Sequence, residues 1–407
     1  MNKKKILIMG DYFYPDVAST GQLLTELCLE LQKQFDVSVV TSVPSFKSNE
    51  YSKEINHETL ENINLYRVKT KPFDKKNKIS RVIHIIEHFL LSRKAIRKLE
   101  KQHIVFTISQ PPILGGLLGL YAKKVHKAKF IYNIQDFNPE QVEAVGYSKS
   151  KILINTLRKI DTNTCKKADK ILIVGNDMEE TLERRGIEIN NKVIAINNWI
   201  DEEKVFPLHN EKVVEFKNKY ELNNKLVFMY SGNIGLYYDL ENIIKVMGKF
   251  KHRDDVRFVF VGDGAKKSEL EEYVLQNKIS NIIFAPFQNK EDIIYSLNAA
   301  DIHLVTNQKG IKGVSVPSKI YGVMAVGKYI LGVLEEGSEA FNLIEKSGCG
   351  IVIEPTEYEQ LYSAINRIIE TARETISNRG MKGRAYLEEN LTKEIAIDKY
   401  IQMFHNV

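Results

Sequence analysis

Short apolar runs recur along the chain, each ending in a loop of glycine or polar residues and each followed by a stretch whose apolar positions lie three and four apart. Apolar runs of four to six residues without alternation suit strands buried on both faces, and the repeat that follows suits a helix laid across them. The first unit predicts a strand over residues 5–9, a loop from Gly10 to Gly21, a helix carrying Leu23, Leu24, Leu27 and Leu31, and a strand over 37–41. Residues 49–64 are polar and read as irregular, with a short strand at 65–68. Strands are then predicted at 104–109, 130–134, 170–174 and 193–196, with helices at 79–101, 114–124 and 152–168.

After a polar linker around Pro207 the pattern restarts. It predicts strands at 226–230, 256–261, 282–285, 302–306 and 329–333, with helices at 240–250, 267–276, 291–299, 358–372, 377–387 and 393–404. Alternating strand and helix signals an α/β fold with two doubly wound, Rossmann-like domains. The expected limits are 1–205 and 206–387, with the terminal segment 388–407 as a helix that crosses back to the first domain.

Composition narrows this without altering it. A chain of 407 residues is too long for one ordinary core, which matches two domains of about 200 residues. At 43% hydrophobic and 27% charged it has the balance of a soluble globular protein. No apolar run approaches the roughly 20 residues that span a bilayer, and the Met1-Asn2-Lys3-Lys4-Lys5 start leads straight into a strand, so secretion is not expected. Cys28, Cys165 and Cys349 are too few and too scattered for a disulfide framework or zinc site, and are expected as thiols in a reducing cytoplasm.

Charge divides the halves. Residues 1–200 hold 32 Lys+Arg against 22 Asp+Glu, a net +10, and residues 201–407 hold 26 against 30, a net −4. A basic half suits nucleic acid, an anionic membrane surface or phosphorylated substrates. The basic run 71–78 carries only Phe73 for stacking, so no nucleic-acid partner is expected. The helix 79–101 has Ile79, Val82, Ile83, Ile86, Phe89, Leu90 and Ile96 on one side and Arg81, Arg93, Lys94, Arg97, Lys98 and Lys101 on others. Such a helix either rests on a membrane or packs on its own domain.

The loops at the carboxyl ends of strands are where a parallel α/β sheet binds ligands. In the first domain these are Thr20-Gly21, at a helix start that lacks the G-x-G-x-x-G fingerprint of dinucleotide sites, and Gln135-Asp136. Asp136 is the best-placed carboxylate there, with a helix cap or Asx-turn as the alternative. In the second domain they are Ser231-Gly232-Asn233, Gly262-Asp263-Gly264, Pro286-Phe287-Gln288 and the stretch 310–333, where Val316-Pro317-Ser318 turns into a helix beginning at Lys319. A loop entering a helix offers free N–H groups to phosphate, and Ser318 and Lys319 add a hydroxyl and a cation.

Taken together, TGQLLTELCLEL, SGNIG, FVGDG, ADIHLV and VPSKIYG followed by MAVGK resemble the retaining glycosyltransferases of family 4, which have the GT-B fold. The VPSKIYG form is similar to the bacterial branch that adds N-acetylated amino sugars such as N-acetyl-fucosamine to O-antigen or capsule units. The resemblance implies a donor site in the interdomain cleft. Its contacts would be Gly21, Ser231, Gly232, Asn233, Gly262, Gly264, Phe287, Ser315, Ser318, Lys319 and Tyr321, with Phe287 near the base and Asp136 and Lys319 as catalytic candidates. Two departures stand out: the family's paired glutamates fall on Val314 and Gly322, and its phosphate-loop arginine and lysine fall on Asn233 and the Tyr237-Tyr238 pair. Lys319 is the expected replacement for the lost charge.

The resulting expectation is transfer of a hexose or N-acetyl amino sugar from a nucleotide sugar, UDP-linked, to a lipid-linked saccharide, without a metal or other cofactor, in the cytoplasm or on the inner membrane face. Two alternatives remain: a nucleotide-sugar 2-epimerase, and a non-catalytic nucleotide-sugar-binding subunit of a glycosyltransferase pair.

Overall fold

The structure, a computed structural model, describes residues 3–16, 18–71, 78–146 and 150–407. Phe73 and most of its basic run lie outside the described residues.

The first half contains β1 (Lys5–Met9), α1 (Ser19–Leu31), β2 (Asp36–Ser42), β3 (Ile55–Leu60), β4 (Ile63–Val68), α2 (Lys78–Lys98), β5 (Ile104–Ile108), α3 (Leu114–His126), β6 (Lys129–Ile134), α4 (Asn138–Ala144), α5 (Lys151–Lys167), β7 (Lys170–Ile173), α6 (Met178–Arg184) and β8 (Val193–Ala195). The strands form one sheet in the order β3-β4-β2-β1-β5-β6-β7-β8. Ile6, Leu7 and Ile8 are wholly buried, as is all of β5, because helices cover both faces.

The segment expected to be irregular, 49–64, instead holds most of an antiparallel hairpin, with Ile55 opposite Val68 and Leu60 opposite Ile63. It turns through Glu61, whose φ is 52°. An edge strand is only half covered, so β3 has the polar composition that hid it; its Glu58 pairs with the buried Arg67 of β4.

The second half contains α7 (Glu211–Lys219), β9 (Leu226–Ser231), α8 (Leu240–Gly248), β10 (Val256–Val261), α9 (Lys267–Gln276), β11 (Ile282–Ala285), α10 (Ile293–Ala299), β12 (Ile302–Thr306), α11 (Lys319–Ala325), β13 (Tyr329–Val333), α12 (Glu339–Ser347), β14 (Gly350–Ile353), α13 (Tyr358–Glu370), α14 (Arg373–Asn390) and α15 (Lys393–Asn406). Its sheet is parallel in the order β11-β10-β9-β12-β13-β14. Strand order reverses beside β1 in the first sheet and beside β9 in the second, which opens a crevice at the carboxyl end of each. The helix α15 packs on the first domain: Tyr400 and Phe404 join a core with Ile6, Ile8 and Phe106, and Tyr400 meets Trp199 edge-on at 5.9 Å between ring centroids.

The domains meet through residues 311–316, which leave the second domain and dock on the first. Phe137 N donates to Val314 O at 2.9 Å, Asp136 forms an isolated antiparallel bridge with Ser315, and Thr181 Oγ1 donates to Gly313 O at 2.7 Å. The side chains of Val314 and Val316 are part of the first domain's core.

Candidate functional site

On the second-domain wall of the cleft, the loops after β9 and β10 lie against each other. Gly232 N donates to Val261 O at 2.9 Å, Ile234 N to Asp263 O at 2.8 Å, and Tyr230 Oη to Asn233 O at 2.7 Å. Only glycine fits at 262: its φ is 147°, and a Cβ there would lie 1.9 Å from Gly232 O. Gly264 is under the same constraint, with φ 157° and a Cβ position 2.3 Å from Ile234 O. Ser231 ends β9 and Asn233 is exposed, and Phe287 is 59% exposed on the loop after the neighbouring β11.

Lys319 reaches this loop from α11. A Cβ built on Gly232 would stand 3.5 Å from its Cε and 3.7 Å from its Nζ. The ammonium lies 3.8 Å from the centroid of Tyr230 and 4.0 Å from that of Tyr238, and is buried without a hydrogen-bond partner among the described residues. Burial holds its pKa well below the ordinary lysine value. Two aromatic faces offset part of that desolvation but do not replace a counter-anion. The residues expected to hold diphosphate therefore meet at one place: Gly232 above, Lys319 beneath. Ser318 precedes α11 with no side-chain capping bond. Of the N–H groups in the loop entering α11, Ser315 N already bonds Ile311 O at 3.4 Å and Pro317 has no N–H, so the cation is the larger part of this wall.

From the opposite wall, Asp136 faces Ser315, whose hydroxyl hydrogen-bonds its carboxylate. Burial raises the Asp136 pKa and the Ser315 bond opposes the rise. The helix-cap alternative does not hold, since α4 begins at Asn138 after Phe137 and has no side-chain cap. The Asp136 charge also reaches Tyr238, whose phenol is pushed up to about 12, first by burial and then by that carboxylate. Gly21 lies in the first turn of α1 beneath the β1 loop, where a Cβ would stand 2.9 Å from that of Tyr12. Nearby, Asn198, Gln135 and Asn133 form a hydrogen-bonded chain ending on Tyr400, along a small hollow walled by Leu24, Leu27 and Trp199.

Tyr321 points elsewhere. It is buried at the domain contact, with its hydroxyl near Asn197, Glu339 and Asp177. Glu339, in the first turn of α12, accepts from Asn176 N at 2.8 Å and from Asn197 Nδ2 at 2.8 Å. Asp177 Oδ2 accepts from Gly313 N at 2.9 Å, while its buried Oδ1 has no hydrogen-bond partner among the described residues. Burial, and then the Glu339 charge, push the Asp177 carboxyl up to about 6. The sequence reading missed Asp177 and Glu339; the available signal was a Ser338-Glu339 pair at a helix start and an aspartate just after a buried strand.

Residues 212–386 match the family described as glycosyl transferases group 1. Along nearly its whole length the chain is similar to a probable glycosyltransferase, WbjE, of Pseudomonas aeruginosa, at 26% identity over 97% of this chain and 96% of that one. It is also similar to the putative colanic acid biosynthesis glycosyl transferase WcaI of Escherichia coli K12, at 24% identity over 98% of each. Among solved structures, Anabaena HepE in complex with UDP and glucose superposes with a TM-score of 0.75 at 13% identity, over 99% of this chain and 100% of that one. The fold is GT-B, two Rossmann-like α/β domains. The domain match and the two relatives support a glycosyltransferase.

Proposed function

We propose that the chain is a retaining glycosyltransferase of family 4 that moves a hexose or N-acetyl amino sugar from a UDP-sugar to a lipid-linked saccharide in bacterial surface polysaccharide synthesis. The observation that carries this reading is the buried, unpartnered Lys319 ammonium beneath Gly232. A lysine so placed lacks an anion, and a donor diphosphate over Gly232 and Asn233 would supply it. The incoming negative charge favours the ammonium form, so the cation is strongest when the leaving group develops charge. Asp136 stands across the cleft as a polar contact to the sugar. The names of WcaI and of the HepE complex support the pathway and the UDP donor.

The epimerase alternative needs several acid and base groups around the sugar, and of the cleft residues described above the carboxylates are Asp136 and Asp263. Against a non-catalytic subunit, the loss of a glutamate at 314 has a structural role: Val314 fills the first domain's core. Purified protein is expected to release UDP from a UDP-sugar only when a lipid-linked saccharide is added. Epimer formation without acceptor would establish the second reading, and UDP-sugar binding without turnover the third.

We also propose that the first domain rests on a membrane. The basic residues of α2 contribute less to this than their sequence suggests: Arg93 stacks on Tyr121 at 4.4 Å, Arg97 lies 5.6 Å from the same ring, and Lys94 pairs with Glu54 at 2.9 Å. The apolar side chains contribute more. Ile83 is 60% exposed, Ile86 53% and Leu90 54%, and they are joined by Phe46 after β2 and Ile152 in the first turn of α5. Helices of a parallel sheet start at the strands' carboxyl ends, which puts Phe46, Ile152 and Ile83 towards the cleft end of the first sheet, with Ile86 and Leu90 further along α2.

A further inference from the structure

At the amino-terminal end of the second sheet's strands, where β12 and β13 begin, a cavity of about 330 Å3 opens between the interdomain linker, the turn after α11 and the first turns of α14. This is the size of a small-molecule site. It lies at the far end of α11 from Lys319: the helix starts at the donor cleft, and Val326, Gly327 and Lys328, which follow it, line the cavity. Pro207 and Met381 form part of its apolar wall and both close on Gly327, where a Cβ would stand 2.5 Å from Met381 Sδ and 3.5 Å from Pro207 Cγ.

The polar lining is unbalanced. Lys328 is partly buried; desolvation lowers its pKa, the nearby Asp301 charge opposes that, and among the described residues its ammonium has no hydrogen bond or ion pair. Lys217 is close enough to push it further down. Asp301, the carboxylate in the lining, is already engaged: its Oδ2 accepts from Val227 N at 2.9 Å and from Arg373 Nη1 at 2.7 Å. Arg373 is half exposed and keeps donors for a ligand, and the Ser377 side chain lies on the same wall. The cluster is positive within a half of the chain that is net −4, so general basicity does not account for it. The Asp301 charge offsets only part of the cost of desolvating Lys328 and is shared with Arg373, so a bound anion would offset more of it.

We propose that this cavity binds a small phosphate-bearing metabolite, with the phosphate between Lys328, Arg373 and Ser377 and the carbon portion against Met381 and Pro207. Two cations and a hydroxyl suit a dianion better than a single carboxylate. The site is separate from the donor cleft and does not rest on the transferase reading.

Calorimetry with glycerol 3-phosphate as the probe, at constant ionic strength and saturating UDP, tests it. Saturable binding is expected, weakened about tenfold or more by Lys328→Met. Ser377→Glu, an exposed position that adds a negative charge, should weaken it without disturbing the fold, and Lys319→Ala should leave it unchanged. No saturable binding, binding that survives both Lys328→Met and Ser377→Glu, or binding lost in Lys319→Ala would each overturn the assignment; the last would place the probe in the donor cleft.

Discussion

The Ser315 hydroxyl of the second domain hydrogen-bonds the Asp136 carboxylate of the first, and the same two residues form a backbone bridge across the cleft. The bond stabilises the carboxylate form against a burial that disfavours it. Ser315→Ala should therefore raise the Asp136 pKa further and move the acidic limb of the pH–rate profile to higher pH. An unchanged limb would remove Asp136 from the titrating machinery.

Lys319 should trade stability for function. Lys319→Met keeps much of the stem between Tyr230 and Tyr238 and deletes the buried charge, so the ligand-free protein is expected to melt at a higher temperature. UDP affinity should fall by at least about tenfold, corresponding to loss of a charge-assisted contact of roughly 1.5–3 kcal/mol. Calorimetry showing undiminished UDP affinity would take Lys319 out of the donor site.

Asp177 gives the domain contact a pH dependence. Its folded pKa of about 6 exceeds the usual aspartate value of about 4. Between these the folded state holds more protons than the unfolded one, so stability falls as pH rises from about 4 to 6 and then levels. Asp177→Asn can still accept from Gly313 N, and its amide can donate towards Glu339. It should stabilise the protein at pH 8 by on the order of 2 kcal/mol, with the advantage shrinking towards pH 5. Equal melting shifts at both pH values would refute this.

The last helix is structural. Tyr400→Ala removes a ring packed on Phe106 and Trp199 and a hydrogen bond from Asn133. It should destabilise the first domain by about 3 kcal/mol, seen as an earlier unfolding transition and faster proteolysis. If melting is unaltered, α15 is not part of that core.

Membrane contact is expected to depend on apolar residues. Replacing Ile83, Ile86 and Leu90 with serine should abolish co-flotation with anionic liposomes while preserving the melting temperature, since all three are exposed. Flotation unaffected by these changes would return α2 to a packing role only.

The strands β12 at 302–306 and β13 at 329–333, buried along their whole length, stand where their unbroken apolar runs place them, and the surface helix α9 at 267–276 stands where its helical repeat does. Of the edge strands, β8 and β11 were legible but β3 and β14 were not, because an edge strand such as β3 needs only some apolar positions. Glycine spacing marked the loops at 232, 262 and 264, since no side chain fits their backbone. The sequence thus determined an alternating α/β chain in two halves, glycine-marked loops at the strand ends of the second half and a lysine, Lys319, at the start of a helix.

The tertiary structure alone decided what that lysine meets: two tyrosine faces, Gly232 and, among the described residues, no hydrogen-bond partner. It also decided that Val314 belongs to the core of the other domain, that Tyr321 turns to the domain contact, and that Asp177 and Glu339, far apart in the chain, share one buried site. Local propensity sets which segment becomes strand or helix. Which side chains lose water together depends on how the two sheets face each other, and that is written in no single stretch of the chain.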